Sequence, residues 1–389
     1  MKIVSVVGAR PNFMKVAPFC RALKAYPQVQ HVLVHTGQHY DVRMSEQFFQ
    51  ELDIPNPDIN LGVGSGSHAE QVGRTMIEFE KVVKAEKPDW VVVLGDVNAT
   101  CACSITAKKE HVKCAHIEAG LRSRDMDMPE EINRLVTDRL SDLLFTPDRL
   151  SNANLKAEGV PGEKVKFVGN IMIDTLERER SKAEVLDLAA IVRENLVDEL
   201  QAGGRVMPAL ADRGYVAMTM HRPSNVDQRE TLVPAMRFFL DEVAKEWPIV
   251  WAIHPRAQKM LKEFGLWDEV AANPNMILVK PLGYHAMLRL NMGARLFMTD
   301  SGGLQEECCV LGTPCLTMRW NTERPITLME NGGASILVGN AVEKIRAAYR
   351  QQINAERHAM RPELWDGKTA ERIAKVLVEY PSVSIGHPL

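Results

Sequence analysis

The residues with the clearest chemical potential lie in short polar segments that follow apolar runs. GARPNFMK supplies Gly8 for a tight turn, then Arg10 and Lys15 as positive charges where a helix begins, a combination suited to an anion. It lacks the second and third glycines of the G-x-G-x-x-G fingerprint, which argues against a freely exchanged nicotinamide. Gly95 and Asp96 follow Leu94, and Asn98 and Thr100 open the next helix. HIEAGLRS brings His116, Glu118 and Arg122 to a neighbouring strand end, and MPEEINR adds Glu130 and Arg134 four residues apart on one helical face. Asp96, Glu118 and Glu130 together would supply acid and base for proton transfer at carbon. Each feature also has a plainer reading: an arginine capping a core carboxylate, an aspartate capping a helix, a solvated salt bridge.

The second half repeats the pattern with different chemistry. Two His-Arg pairs stand at successive strand ends, His221-Arg222 and His254-Pro255-Arg256. Arginine offers a charged donor fork and histidine a group that carries a proton near neutrality, so the pairs suit a diphosphate or its departure. TDSGGLQEE is the most specific segment. Ser301, Gly302 and Gly303 open a helix with unobstructed backbone N–H groups, and Glu306 and Glu307 follow one turn later, placed to accept hydrogen bonds from ribose hydroxyls. NTERP adds Glu323 and Arg324.

The elements that must carry these residues can be read from the alternation of short β-branched runs with amphipathic stretches. Runs at 3–7, 32–35, 90–94 and 112–116 form one series; runs at 215–220, 249–253, 276–279, 296–299 and 314–318 form another. That alternation predicts an α/β protein with parallel sheets wound by helices. The restart predicts two similar domains, as does a length of 389 residues. The boundary is expected near 170–175, with a helical stretch from 171 to about 200 and a loop around 203–212. Ligands of open parallel sheets sit beyond the carboxyl ends of the strands, where all the polar segments above fall.

A formal net charge of −3 and the absence of a long Lys/Arg run exclude a nucleic-acid backbone as the expected partner. No run of about eighteen apolar residues predicts a membrane span, and the apolar start MKIVSVVGAR reads as a first strand rather than a signal peptide. The seven cysteines are odd in number and lack C-x-x-C spacing, so they read as reduced core residues of a cytoplasmic protein with no metal site.

In this order, GARPNFMK, TGQHYD, GDVNAT, HIEAGLRS, MPEEINR, GNIMID, HPR, TDSGGLQEE and NTERP resemble the non-hydrolysing UDP-N-acetylglucosamine 2-epimerase family over nearly the whole chain. The resemblance implies two Rossmann-like domains facing a central cleft (the GT-B fold): residues 1–170, with a helix at about 369–389 packing back on them, and a UDP-binding domain at 171–368. It also implies a homodimer and no cofactor. The implied reaction eliminates UDP to give 2-acetamidoglucal and re-adds it to the opposite face. By matching motifs, Arg10, His221, Ser301, Gly302, Gly303, Glu307 and Arg324 would hold UDP, with Arg256 beside them. Lys15, Asp96, Glu118, Glu130 and Arg134 would surround the sugar, with the carboxylates and His221 as acid and base. Gln38, His39 and Arg74 match a region that binds a second, activating UDP-sugar.

The chain departs from the family pattern at Asn12, where many members have Glu, at Asp41, and at Leu282 and Met287 near the expected uracil position. The alternatives are a 2-epimerase of UDP-2,3-diacetamido-2,3-dideoxy-glucuronic acid, a hydrolysing epimerase, a GT-B glycosyltransferase and a non-catalytic UDP-sugar sensor. The three acids and Lys15 favour epimerisation over the last two, and the RP-x-x-x-K pattern disfavours hydrolysis.

Overall fold

The computed structural model describes residues 1–37, 51–202 and 208–381. Two compact units are present: one comprises 1–121, 126–175 and 363 onward, the other 122–125 and 176–362.

The first unit is built on a parallel sheet of strands β1 (Lys2–Val7), β2 (Gln30–His35), β3 (Ile59–Asn60), β4 (Trp90–Leu94), β5 (Lys113–Ile117), β6 (Leu143–Thr146) and β7 (Val165–Phe167), in the order β3-β2-β1-β4-β5-β6-β7. The unbroken apolar run WVVVL makes β4 a central strand, because both of its faces are covered and all five residues are buried. Val4, Val6, Val34, Val91 and Val93 meet Phe79 and Val83 of the helix His68–Glu86 in one of the cores. The chain runs outward in one direction from β1 through β2 and then in the other from β4, so the topology reverses between β1 and β4. Such a reversal opens a crevice at the carboxyl ends of its two strands.

The second unit repeats the plan with β8 (Val216–Thr219), β9 (Ile249–Ala252), β10 (Met276–Val279), β11 (Leu296–Thr299), β12 (Cys315–Thr317) and β13 (Ser335–Leu337), ordered β10-β9-β8-β11-β12-β13 and again parallel. Its reversal lies between β8 and β11. The helix Ile171–Glu184 leads the chain into this unit, and Leu188, Ile191, Val192 and Leu196 join its core, with Leu196 bridging to Val279. All seven cysteines are free and buried. Among the described residues no helix is long and apolar enough to cross a membrane.

The helix Thr369–Glu379 returns to the first unit. Ala370, Ile373, Ala374 and Leu377 form a stripe at helical spacing and pack on the side of the helix Arg10–Leu23. Trp365 donates from Nε1 to Pro147 O at 2.9 Å, and Tyr380 meets Trp90 edge to face at 5.1 Å. At Gly169, φ is +91° and a Cβ would overlap the carbonyl oxygen of Leu364, so only glycine lets the returning chain pass this close.

Asp174 receives the amino end of the returning helix, accepting from Thr369 N at 3.0 Å and Ala370 N at 2.7 Å. Burial pushes its carboxyl from 3.8 up to about 6, against the pull of those two N–H groups. A folded-state value above the unfolded one means the native state binds the proton more tightly. The contribution is therefore complete below pH 3.8 and is lost as pH rises through about 6. Asp174→Asn is expected to flatten this slope: the difference in urea stability between variant and parent should shift by about 3 kcal/mol or less between pH 4 and pH 7, in favour of the variant. A difference independent of pH would contradict the assignment.

Candidate active site

At the reversal in the first unit, three strand ends converge. Asn12 fixes the β1 turn: its Oδ1 accepts from Gly8 N at 3.0 Å and Ala9 N at 3.3 Å, and its Nδ2 donates to Leu94 O at 2.9 Å. The residue that departs from the family pattern thus ties the end of β1 to the end of β4. One turn further along this helix, which Arg10 opens, Lys15 Nζ is paired with Glu118 Oε2, both side chains buried. Glu118 sits just beyond β5 with φ +75°, a left-handed conformation rarely adopted by residues other than glycine, asparagine and aspartate. Gly95, also left-handed at φ +65°, leaves room for the pair, since a Cβ there would lie 2.9 Å from Lys15 Nζ and 3.3 Å from Glu118 Oε2. Strain of this kind persists where the surroundings hold it, and here it aims a buried carboxylate at an ammonium.

Asp96 follows Gly95 and is partly exposed; its Oδ2 accepts from Arg134 Nη1. Arg134 is buried, and its Nε and Nη2 donate to Glu131 Oε2 at 2.9 and 2.7 Å. The ion pairs of Arg134 therefore run to Glu131 at i−3 and to Asp96, a choice that the i,i+4 spacing of Glu130 and Arg134 did not reveal. Glu130 lies at the start of the helix Pro129–Leu140, partly exposed. His116 is buried behind the group, with Nδ1 2.6 Å from Asp138 Oδ1 and Nε2 2.7 Å from Gly95 O. It supports the strand end rather than lining it.

In the second unit, Thr219 and Thr299 join through their hydroxyls at 2.7 Å at the ends of β8 and β11. His221 follows β8, its side chain 41% exposed, with Nδ1 2.7 Å from Asp300 Oδ1. His254 caps the helix Pro255–Glu263, its Nδ1 accepting from Arg256 N at 3.1 Å, and the two imidazole centroids are 5.8 Å apart. Arg256 forks onto Asp227 with one bond at 2.7 Å, which holds the guanidinium at the surface and lowers the Asp227 carboxyl below its ordinary value.

Ser301 caps the helix Gly302–Leu311. Gly302 is packed against Arg324: a Cβ would lie 2.6 Å from Arg324 Nη1. Arg324 in turn pairs with Glu323 and, through Nε at 2.8 Å, with Glu306, so Glu306 holds an arginine. Glu307 points into the unit beside Asn291 and Tyr284. Burial pushes its carboxyl up to about 7, and its Oε2 has no hydrogen-bond donor.

Arg74 forms an exposed i,i+4 pair with Glu70 at 3.1 Å, on a helix whose capping box joins Ser67 and Glu70. Gln38 and His39 lie outside the described residues, as does Asp41. No cluster among the described residues offers three or more metal-ligating side chains. Sequence reasoning did not single out Asp300, Glu131 or Asn12's bridging role. TDSGG does contain a signal for the first, an aspartate at a strand end directly before the glycines.

The family model for UDP-N-acetylglucosamine 2-epimerase matches residues 21–378. A UDP-N-acetylglucosamine 2-epimerase of Methanocaldococcus jannaschii is 41% identical over 380 residues, covering 97% of this chain and 99% of the relative. The crystal structure of the enzyme from that organism in complex with UDP-GlcNAc and UDP superposes with a TM-score of 0.85 at 40% identity, covering 97% of this chain and 99% of its own. A UDP-2,3-diacetamido-2,3-dideoxy-D-glucuronate 2-epimerase of Pseudomonas aeruginosa is 35% identical over 379 residues, 97% of this chain and all of the relative. The two parallel α/β units are those of the GT-B-like fold, and the chain belongs to the UDP-N-acetylglucosamine 2-epimerase family.

Proposed function

We propose that the enzyme inverts carbon 2 of the hexosamine in UDP-N-acetylglucosamine, giving UDP-N-acetylmannosamine. The second unit holds the uridine diphosphate through Ser301, Gly302, Gly303, Glu307, Arg324 and His221, and the first unit handles the sugar through Lys15, Asp96, Glu118, Glu130 and Arg134. Elimination of UDP forms 2-acetamidoglucal, and re-addition after reprotonation of the other face completes the inversion. The observation that carries this reading is the buried Lys15–Glu118 pair beside Gly95 and Asp96. It places a carboxylate and an ammonium, shielded from water, where a carbon acid needs a base and developing negative charge needs a cation.

The same group favours this substrate over the diacetamido uronate named for the Pseudomonas relative. Asp96, Glu118, Glu130 and Glu131 are set against the two cations Lys15 and Arg134 in the first unit. A further carboxylate at carbon 6 would enter a negative surrounding, whereas a hydroxymethyl group would not.

Proton NMR of the purified protein in deuterated water tests both readings at once, with each UDP-sugar in a separate tube. Formation of UDP-N-acetylmannosamine with deuterium at carbon 2 supports the proposal. Turnover of the uronate alone transfers it to the second substrate, and release of free N-acetylmannosamine moves it to the hydrolysing class. Light scattering of the same sample tests assembly as a homodimer.

The carboxylate form of Glu307 is the acceptor that ribose hydroxyls require. With its carboxyl pushed up to about 7, the proton competes with the ligand. Affinity for UDP-N-acetylglucosamine, whose diphosphate does not titrate in this range, is therefore expected to fall about tenfold from pH 8 to pH 6. Glu307→Gln should bind more weakly at pH 8 and lose that dependence; a parallel slope in the variant would assign the effect elsewhere.

A further inference from the structure

Asp300 is fully buried at the end of β11, and every polar contact it makes points to the turn after β8. Its Oδ2 accepts from His221 N at 2.9 Å, Arg222 N at 2.8 Å and Asn225 Nδ2 at 3.0 Å, while Oδ1 lies 2.7 Å from His221 Nδ1. Asn225 is itself anchored to Met318 O at 2.9 Å. Holding two backbone N–H groups would require only a neutral amide oxygen. A buried carboxylate is costly to desolvate, so its charge calls for a partner that can carry the opposite one. That partner is the imidazole of His221, whose other nitrogen is not engaged by Asp300. Burial alone would raise the Asp300 carboxyl; contact with His221 and the N–H groups of Arg222 and His221 outweighs it, and the carboxyl is held below its ordinary value.

We propose that Asp300 is a positioning residue that keeps a proton on Nδ1 of His221 and stabilises the imidazolium formed when Nε2 is protonated beside the diphosphate. This rests on the reading of His221 given above. The carboxylate sets the tautomer, because Oδ1 accepts only from an Nδ1–H. His254 is set the opposite way: its Nδ1 accepts from Arg256 N, which leaves the ring proton of the neutral form on Nε2. The rim of the second unit thus carries two imidazoles 5.8 Å apart with opposite tautomers, one able to take up a proton at Nε2 and one already donating there. The other charged groups at this rim are Arg222, whose Nε donates to Asp300 O at 3.4 Å, and the Asp227–Arg256 pair.

The decisive variant is Asp300→Asn, which keeps an oxygen for the two backbone N–H groups but turns an NH2 toward Nδ1. Nδ1 must then accept, the proton moves to Nε2, and the imidazolium loses its counter-charge. The expected result is a loss in kcat of about 10²- to 10⁴-fold with KM changed only a few-fold, by analogy with the same exchange in Asp-His pairs elsewhere. The limb of the pH–rate profile that reports imidazole protonation moves to lower pH, because a neighbouring negative charge has gone. Nitrogen-15 NMR of histidine-labelled protein reads the tautomer without turnover: Nδ1 of His221 protonated in the parent, unprotonated in the variant. Parental kcat and pH profile in Asp300→Asn, or an unprotonated Nδ1 in the parent, would overturn the proposal. A parent that inverts no UDP-sugar would count against the proposed function instead, and the nitrogen spectra would still decide the role of Asp300.

Discussion

Replacement of Glu118 by Gln lowers kcat by about 10²- to 10⁴-fold, the range spanned by loss of a positioned general acid or base. The side chain keeps its volume and its strained backbone can persist, so what disappears is the charge. Exchange of the carbon 2 proton into deuterated water should fall in step with epimerisation. Stability falls as well, because Lys15 is buried and would keep its ammonium without a counter-ion, a change that typically costs about 3–5 kcal/mol. Combining Glu118→Gln with Lys15→Met separates the two effects. Removing both charges should recover most of the lost stability, measured by urea denaturation, and none of the activity. Near-parental activity in Glu118→Gln would pass the role to Asp96 or Glu130.

The largest effect on folding is expected from Gly169→Ala. A side chain at φ +91° is strained wherever it has space, and here its Cβ would overlap the Leu364 carbonyl. Neither partner yields easily, since both are backbone and Leu364 is itself left-handed at φ +64°. A destabilisation of about 3 kcal/mol or more is expected, confined to the first unit. Hydrogen exchange should show protection lost in Thr369–Glu379 and the helix it covers, Arg10–Leu23, while β8 to β13 keep theirs and UDP is still bound. Unchanged protection of the returning helix would mean that the crossing is looser than its geometry implies.

The polar strand ends were the legible part of the site, for a physical reason. In a doubly covered parallel sheet the strands must be apolar throughout, so charged residues directly after such a run stand out, as Asp96, Glu118, His221 and Ser301 do. Partner choice was less legible. Spacing alone allowed Arg134 to pair with Glu130, but burial of one helical face turned it to Glu131 and Asp96. Arg256, grouped with the diphosphate from its place beside His254, forks onto Asp227, 29 residues earlier. Of the strands, β3, β7 and β13 went unread because two or three residues are too few to show a period, and β6, with only four, ends in a loop without strong turn signals. The left-handed backbone of Glu118 had no signal at all, since a glutamate is not where a positive φ is sought.

The returning segment also bears on how the protein is made. A ribosome releases β1 to β7 first, yet the apolar side of the helix Arg10–Leu23 stays uncovered until Thr369–Glu379 has been translated. Residues 176–362 form nearly all of the other unit without waiting for anything downstream. The half that is synthesised later is therefore able to complete its fold earlier, and the nascent first half carries an exposed apolar stripe through the intervening synthesis, a natural point for chaperone engagement.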